Sequence, residues 1–378
     1  MKTETVKGFS DYTGEEAIKR ATIRKIIEET FQLYGFEPAE TPIIEQEEFV
    51  KSQGNENDEA VSDIFKLSDK GKRELALRYE FTFQLKRIAN NKKLPYKRYQ
   101  IGPVFRDEPT SSNRFRQFTQ CDSDIIGSSL KDEAELLALT KKILEKLNIE
   151  NIIYFNNRKL INEILEDEKI KDKEAVIREI DKLDKLSEED IINNLKRYKA
   201  EKIIKIFKQK ESSFEKYSFY KEIKELKKLA KDYGISIEFL PTLARGLSYY
   251  NGSVFEIKTK EMKESICAGG SYLVNQVQSS GISLGLERLS ALAKIKPDEN
   301  EILIISLGQD KKAIELSEKL RKNNTPIILL TDKSITRALE YANSKNISKV
   351  IILGEKEVKS GKYTLKNMKT GNEESVKF

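Results

Sequence analysis

The longest stretch of this chain without glycine or proline covers residues 128–233, although the 378 residues include 18 glycines and 8 prolines. Since both residue types interrupt helices, their absence over such a length predicts a mostly helical region. Apolar spacing indicates a helix from Ser128 or Ser129 to about Leu147 and then a short strand at residues 152–155. Residues 171–231 alternate charges with Ile and Leu at helical spacing, which is typical of a charged insertion with a solvated, lysine-rich face.

The C-terminal part has a different pattern. The apolar segments EILIISLG, PIILLT and KVIILG alternate with amphipathic helical segments, which predicts a small α/β unit with a largely parallel sheet. Residues 296–300 (KPDEN) are the predicted linker, and alternation on both sides of residues 369–371 predicts a hairpin. We therefore expect a first domain at 1–297 with a helical insertion at 167–233, and a second domain at 298–378.

Histidine is absent from the sequence. This excludes Ser-His-Asp and Cys-His nucleophiles, histidine-ligated zinc and a histidine general base. Chemistry in this chain has to use Arg, Lys, Tyr, carboxylates or a bound ion. The 68 basic residues exceed the 62 acidic ones by only 6, which is a weak signal for nucleic-acid binding and equally fits a solubilising surface of mixed charge.

Three further features favour the cytoplasm. No apolar run approaches the roughly 18 residues that a membrane span needs, and the first residues have no hydrophobic segment typical of a signal peptide. Cys121 and Cys267 lie far apart in the sequence, which fits a reducing compartment and provides no zinc or disulfide framework.

Residues 96–108 and 114–126 alternate in polarity on either side of the turn PTSSN, which predicts an antiparallel hairpin with one polar face. The first strand is predicted to place on that face Arg98, Gln100, Arg106 and Glu108. The second is predicted to place there Arg116, Phe118, Gln120, Asp122 and Asp124. Because buried carboxylates need partners, a ligand is the better explanation for this face than a surface strand.

Two glycine-containing segments, residues 243–257 (LARGLSYYNGSVFEI) and 281–289 (GISLGLERL), carry one arginine each, Arg245 and Arg288. Their glycines let a ligand or another strand approach closely. With Arg106 and Arg116, these arginines fall at predicted strand edges or turns, which indicates a polyphosphate clamp because guanidinium groups bind phosphate oxygens bidentately. The alternative for any single arginine is a surface charge.

In order and in sequence, these segments resemble those of class II aminoacyl-tRNA synthetases and, within that class, those of the histidyl-tRNA synthetase family. The class-level motifs are GFEPAETP (residues 35–42), FRDE with Phe118, and GLER (residues 285–288). The family-level ones are LARGLSYYNG, CAGGSY, FTQCDSDIIG and LALRYEFT, and the likeness spans nearly the whole chain. The sequence QCDSDI is closer to that of the archaeal and eukaryotic branch of the family than to that of the bacterial branch.

The resemblance implies an α+β fold. Its parts are a six-stranded antiparallel catalytic sheet with flanking helices, the helical insertion, and a C-terminal α/β anticodon-binding domain. It also implies an ATP-dependent histidine–tRNA ligase that uses Mg²⁺ with ATP, L-histidine and tRNA(His). Motif 1, at residues 35–42, implies a homodimer.

Roles for the matching residues follow from the same resemblance. The histidine α-amino group would be held by Glu80, Thr82 and Gln120. The imidazole would be bracketed by Asp124 and Tyr250, with Tyr272 lining the pocket. The α-phosphate would contact the catalytic Arg106 and Arg245, whereas the rest of ATP would contact Arg288, Glu108 and Arg116. No side chain is assigned to a metal.

The chain departs from the family pattern at Tyr79, Ser248, Asn251 and Ser271, where proline, aspartate, threonine and arginine are usual. Pro109 also follows Glu108, where a basic residue can occur. With serine at position 248, the sequence has no carboxylate there to orient the Arg245 guanidinium, which bears on rate and pocket geometry. The alternative function is a synthetase-like regulatory or tRNA-sensing protein that has lost the reaction.

Overall fold

The computed structural model describes residues 3–52, 59–111, 113–184, 186–244, 249–296 and 301–378. The chain divides into two compact units, Met1–Ile295 and Lys296–Phe378. Most of the predicted linker, residues 297–300, lies outside the described residues, and the predicted domain boundaries stay a prediction.

The strands of the first unit, within the described residues, are β1 (Glu37–Pro38), β2 (Ile44–Gln46), β3 (Lys66–Ser68), β4 (Glu74–Leu77), β5 (Tyr96–Phe105), β6 (Gln117–Ile126), β7 (Ile152–Asn157), β8 (Glu238–Phe239), β9 (Tyr250–Thr259), β10 (Met262–Val274) and β11 (Val277–Gly285). Its helices there are α1 (Gly14–Leu33), α2 (Glu47–Lys51), α3 (Glu59–Ser62), α4 (Thr82–Ile88), α5 (Leu130–Lys146), α6 (Arg158–Asp167), α7 (Lys173–Asp181), α8 (Glu188–Lys196), α9 (Ile203–Phe207), α10 (Tyr220–Asp232) and α11 (Leu286–Leu292).

The main sheet has the order β1-β5-β6-β11-β10-β9-β7-β8 in the described part of the chain. The six strands from β5 to β7 pair antiparallel, as the family resemblance implies, whereas β1 and β8 are short parallel additions at the two edges. A smaller sheet, β2-β4-β3, lies outside the main one. The predicted hairpin is confirmed as β5 and β6, with Arg98 opposite Asp124.

One face of the main sheet is covered by α1 and α5. Cys121 and Ile125 of β6 pack there with Ile23 of α1 and Leu137 of α5 in one continuous core. Gln120, Asp122 and Asp124 of β6 alternate with these residues and point to the opposite face. The sheet therefore presents a polar floor on the side away from α1 and α5.

The glycine- and proline-free stretch is mostly helical, as predicted. Helix α5 begins after Ser129, whose side chain and the Asp132 side chain form a capping box. Strand β7 and helix α6 follow, and α7 to α10 lie within the predicted insertion, with buried Ile and Leu facing the core. Its lysines at 221, 224 and 228 are exposed, as the charge pattern predicted.

The second unit contains, within its described residues, β12 (Ile302–Ser306), α12 (Asp310–Lys322), β13 (Ile327–Leu330), α13 (Ile335–Ser344), β14 (Lys349–Leu353), α14 (Glu355–Ser360), β15 (Lys362–Asn367) and β16 (Glu373–Lys377). The sheet order is β13-β12-β14-β15-β16, in which the first three strands are parallel and the last pair is the predicted hairpin. None of the described helices in either unit is long and apolar enough to cross a membrane.

Candidate active site

The polar floor of the main sheet opens into a cavity of about 1140 Å³ in the first unit. Side chains of β6, β10 and β11 form its floor, and α7 of the insertion contributes part of its wall through Ala175 and Arg178. The predicted site residues that line it are Glu80, Thr82, Arg106, Glu108, Gln120, Asp124, Tyr250, Tyr272 and Arg288. Residues more than 200 positions apart in the sequence thus meet in one cavity.

Asp124 is held from two sides at the closed end of the cavity. The Tyr272 hydroxyl donates a hydrogen bond to its Oδ1, and the Arg98 guanidinium lies 2.8 Å from its Oδ2. Arg98 is fully buried, so this ion pair has little competition from water. The pKa of Asp124 is raised by burial, whereas the charge of Arg98 and the Tyr272 hydrogen bond oppose the rise.

A second buried carboxyl group of the cavity, Glu80, lies just before α4. The Tyr249 hydroxyl donates to its Oε2 at 3.2 Å. Burial raises the pKa of Glu80 to about 7, although the nearby Arg106 charge and the Tyr249 hydrogen bond lower it. With Thr82 and Gln120, which line the same cavity, Glu80 forms an acceptor-rich corner suited to an ammonium group.

Asp122 adds a third buried carboxylate between these two on the same face of β6. Burial and, next, the neighbouring Asp124 charge raise its pKa to about 7, against the lowering effect of the Arg98 charge. Three carboxyl groups therefore share this end of the cavity with one fully buried cation, Arg98. A bound cationic group would relieve the repulsion between them.

Three tyrosines form an aromatic wall beside Asp124. The ring centroids of Tyr249 and Tyr250 are 4.8 Å apart, and those of Tyr249 and Tyr272 are 5.6 Å apart. Gly281 faces them from β11, and a Cβ atom there would overlap Asp124 Oδ1. The missing side chain leaves room for the Asp124–Tyr272 hydrogen bond and for a small ring beside it.

The same cavity is also lined by arginines. Arg106 Nε donates to the Tyr79 carbonyl oxygen at 3.2 Å, and its guanidinium lies 5.1 Å from the centre of the Phe118 ring. Arg288 Nη1 donates to the Ser265 carbonyl oxygen at 2.7 Å, and burial lowers its pKa. Both side chains are fixed at the cavity wall by backbone carbonyls and retain further N–H donors for a ligand.

One of the predicted clamp residues, Arg116, is placed differently. Arg116 precedes β6, pairs with Asp107 at 3.1 Å and does not line the cavity. The alternation had predicted this side chain on the polar face of the strand, which it does not share. Arg114, which the sequence did not single out, lines the cavity and pairs with Glu108 at 3.3 Å. Arg245 and Ser248 lie outside the described residues.

The other departures from the family pattern have visible contacts. Tyr79 is buried and stacks on Phe83 with ring centroids 6.0 Å apart. Asn251 donates through Nδ2 to Gln278 Oε1 at 3.1 Å. Ser271 donates through Oγ to Glu133, which lies behind the sheet.

Sequence reasoning missed Tyr249 as a site residue and gave Arg98 no partner. The signal for Arg98 was present, because strand alternation put it on the polar face; its partner, however, depended on the strand register. Tyr249 follows Ser248 directly, and its approach to Glu80 is a long-range contact that no local pattern indicates. Among the described residues, no group of three or more Cys, Asp or Glu side chains is placed to hold a metal ion.

The family model for histidyl-tRNA synthetase matches residues 8–289, and the model for an anticodon-binding domain matches residues 301–378. Histidine–tRNA ligase 1 of Bacillus cereus is 36% identical over 100% of this chain and 98% of its own length. Histidine–tRNA ligase of Wolinella succinogenes is 32% identical over 98% of this chain and 94% of its own length.

Among solved structures, histidyl-tRNA synthetase from Nostoc sp. PCC 7120 has a TM-score of 0.86 and 25% identity, and the match covers 100% of this chain and 97% of that one. A Bacillus halodurans C protein titled as an ATP phosphoribosyltransferase regulatory subunit/histidyl-tRNA synthetase has a TM-score of 0.76 at 21% identity, covering 93% and 98% of the two chains, and shares the fold.

The antiparallel sheet, its arginine-lined cavity and the attached α/β unit are those of a class II aminoacyl-tRNA synthetase. Within that class, the chain belongs to the histidyl-tRNA synthetase family. The predicted likeness to the archaeal and eukaryotic branch is not supported, because the relatives found are bacterial. A short segment such as QCDSDI reports the chemistry of one strand, whereas descent is recorded along the whole chain.

Proposed function

We propose that this protein is a histidine–tRNA ligase, which activates L-histidine with ATP to histidyl-adenylate and transfers it to the 3′ end of tRNA(His). The observation that carries the proposal is the combination of groups in one cavity. Buried carboxyl and tyrosine hydroxyl groups line it together with Arg106 and Arg288. The carboxyl and hydroxyl groups fit an amino acid with an ammonium group and a ring nitrogen, and the arginines fit a nucleotide polyphosphate.

In this assignment the substrate α-amino group binds Glu80, Thr82 and Gln120. The imidazole lies between Asp124 and Tyr250 and against Tyr272. A rival amino acid without ring nitrogens would leave Asp124 buried and unpaired on its ligand side, at a cost on the order of 1–3 kcal/mol for each unpaired group. The site thus selects the imidazole ring because its nitrogens complete the hydrogen bonds of Asp124, and not by ring size alone.

Activation is an in-line attack by the substrate carboxylate on the α-phosphorus, during which negative charge builds on the phosphate oxygens. Arg106 from one side, and Arg245 by its match to the family motif, stabilise that charge in the transition state. Arg288 and Glu108 contact the rest of the nucleotide. The reaction needs no protein base because the attacking carboxylate is already ionised, which is consistent with a chain that has no histidine.

ATP enters as its Mg²⁺ complex, and the ion is part of the substrate. The charge of the ion offsets that of the phosphates, and no described cluster of acidic residues is available to hold the ion without the phosphates.

The second unit is proposed to bind the tRNA anticodon. Motif 1 (residues 35–42), which the exposed Leu33, Ile43 and Ile44 flank, is proposed to pair two copies of the chain. The cytoplasm is the proposed location, where tRNA is charged.

The decisive measurement is histidine-dependent ATP–pyrophosphate exchange by the purified protein. We expect exchange with L-histidine and none above background with the other nineteen amino acids. Asp124→Asn should abolish the exchange. The neutral amide cannot form an ion pair with Arg98, and it has only one acceptor oxygen to offer to both Arg98 and the ring. Glu315→Gln, an exposed change in the second unit, is the control and should exchange at the wild-type rate.

The alternative is a regulatory or tRNA-sensing protein with a synthetase fold. The matched anticodon-binding unit and the arginines in the cavity argue against it, because a regulator without tRNA chemistry requires neither. Histidine binding without pyrophosphate exchange would favour this alternative and would overturn the ligase proposal.

A further inference from the structure

Strands β9 and β10 leave their regular register beside the tyrosine wall. On one side Gly270 pairs with Val254, and on the other Tyr272 pairs with Tyr250. Extended without change, the first register would put Gly252 opposite Tyr272. Strand β9 therefore carries two extra residues at this point, a β-bulge, and this bulge is what brings Tyr250 opposite Tyr272.

Glu133 approaches this bulge from behind the sheet. It lies in α5, and its carboxyl group accepts a hydrogen bond from the hydroxyl of Ser271 on β10. The hydroxyl of Ser253 on β9 is near enough to lower the pKa of Glu133. The exposed fractions of Glu133, Ser271 and Ser253 are 5%, 2% and 3%. One buried side chain thus faces both strands within the irregular segment.

The supporting elements are rigid. Helix α5 is fixed at its start by the Ser129–Asp132 capping box and along its length by core packing. Gly252 completes the arrangement, because a Cβ atom there would lie 3.1 Å from Ser271 Cβ and would push the two strands apart. Backbone and side-chain features therefore favour the same geometry.

The electrostatic environment is consistent with a tight local contact. Burial raises the pKa of Glu133 to about 7, whereas the hydrogen bonds from Ser253 and Ser271 lower it. Glu222 of α10 raises this pKa further, and Lys159 of α6 lowers it. Lys159 is committed to Glu222 at 3.1 Å, so the two serines are the direct partners of Glu133.

We propose that Glu133 is a positioning residue that fixes the β9–β10 bulge and thereby aims Tyr250 and Tyr272 at the substrate ring. This inference rests on the proposed function for the identity of that ring. It also explains why serine is accepted at position 271, where the family pattern has arginine: the hydroxyl of Ser271 is the contact that Glu133 uses.

The kinetic test compares histidine with ATP in pyrophosphate exchange. Ser271→Ala is a small change that should leave the protein folded, and it removes one hydrogen bond. We expect it to raise the KM for histidine about tenfold and to leave the KM for ATP within twofold of wild type. Glu133→Leu should raise it further, and Glu133→Gln, which retains an acceptor oxygen, should raise it less. Glu135→Gln on the same helix, whose partner is Lys97, is the control and should behave as wild type.

A second measurement does not depend on activity. Amide hydrogen exchange in residues 250–254 and 270–272 should be at least tenfold faster in Ser271→Ala and Glu133→Leu than in wild type and in Glu135→Gln. Unchanged amide exchange, or parallel rises in both KM values, would overturn the role of Glu133. Absent pyrophosphate exchange by the wild-type protein would instead overturn the proposed function, and amide exchange would still test Glu133.

Discussion

Gly281 shows how a single residue sets the shape of the histidine end of the cavity. Its position on β11 faces Asp124 across the strand pair. No other residue type leaves room there, because a Cβ atom would overlap Asp124 Oδ1 and lie 2.8 Å from the Tyr272 hydroxyl. The requirement comes from space in the folded protein and not from backbone conformation.

Gly281→Ala is therefore expected to displace the Asp124–Tyr272 pair and to lower kcat/KM for histidine at least about 100-fold, which corresponds to about 2.7 kcal/mol. ATP binding, measured by calorimetry without histidine, should change less than threefold. Gly285→Ala on the same strand meets nothing within 4 Å and should retain histidine binding. Equal losses in the two variants would contradict this account of Gly281.

At the scale of secondary-structure elements, α1 is linked to the start of α11 by one buried ion pair. Arg20 Nη2 lies 2.8 Å from Glu287 Oε1, and the Thr119 backbone N–H of β6 donates to the two oxygens of Glu287 at 3.1 and 3.0 Å. The Arg20 guanidinium also lies 3.8 Å from the centre of the Tyr12 ring. Glu287 precedes Arg288, so this contact helps to place an arginine proposed to bind ATP.

Arg20→Met should leave Glu287 without its cation while preserving the length of the side chain. Since breaking a buried pair is costly, we expect unfolding free energy to fall by about 2–4 kcal/mol. The KM for ATP should rise several-fold while the KM for histidine stays within twofold, as pyrophosphate exchange at varied substrate would show. Lys25→Met on an exposed part of the same helix is the control. A rise in the histidine KM alone would refute the link.

At the scale of the whole molecule, the buried carboxyl groups predict how stability depends on pH. Glu80, Asp122 and Glu133 have pKa values raised to about 7 by burial, whereas in an unfolded chain such groups titrate near 4. The native state then holds protons that the unfolded state releases. Their contribution to stability is complete below about pH 4 and is lost as the pH rises through 7.

The melting temperature of the unliganded protein should consequently fall between about pH 5 and pH 7.5 and level off above that. Carboxylates with lowered pKa values, such as Glu47 and Glu179, lose their stabilising effect only at lower pH. Their effect is already complete above the pKa of an unfolded glutamate, near 4.5, so they do not reverse the trend. Scanning calorimetry would measure the slope, which should be shallower in Glu133→Gln and unchanged in Glu135→Gln. A melting temperature that rises over this range would contradict the assignment.

Much of the architecture was predictable because it depends on local patterns. The lack of glycine and proline predicted the helical stretch, and strand alternation predicted the β5–β6 hairpin and its polar face. The same alternation misplaced Arg116, since the chain turns just before β6 and directs this side chain to Asp107. Local periodicity describes a strand only within its ends.

What the sequence by itself determined is α5, the β5–β6 hairpin, the strand–helix alternation of the second unit, the order of the motifs and the exclusion of histidine chemistry, because each depends on residue type and spacing along the chain. Only the tertiary structure decided which groups meet: Arg98 with Asp124, Tyr249 with Glu80, and Glu133 with the bulge that aligns the tyrosines. The physical reason is that strand register and burial arise from contacts between distant residues, and burial then sets the charge states on which binding depends.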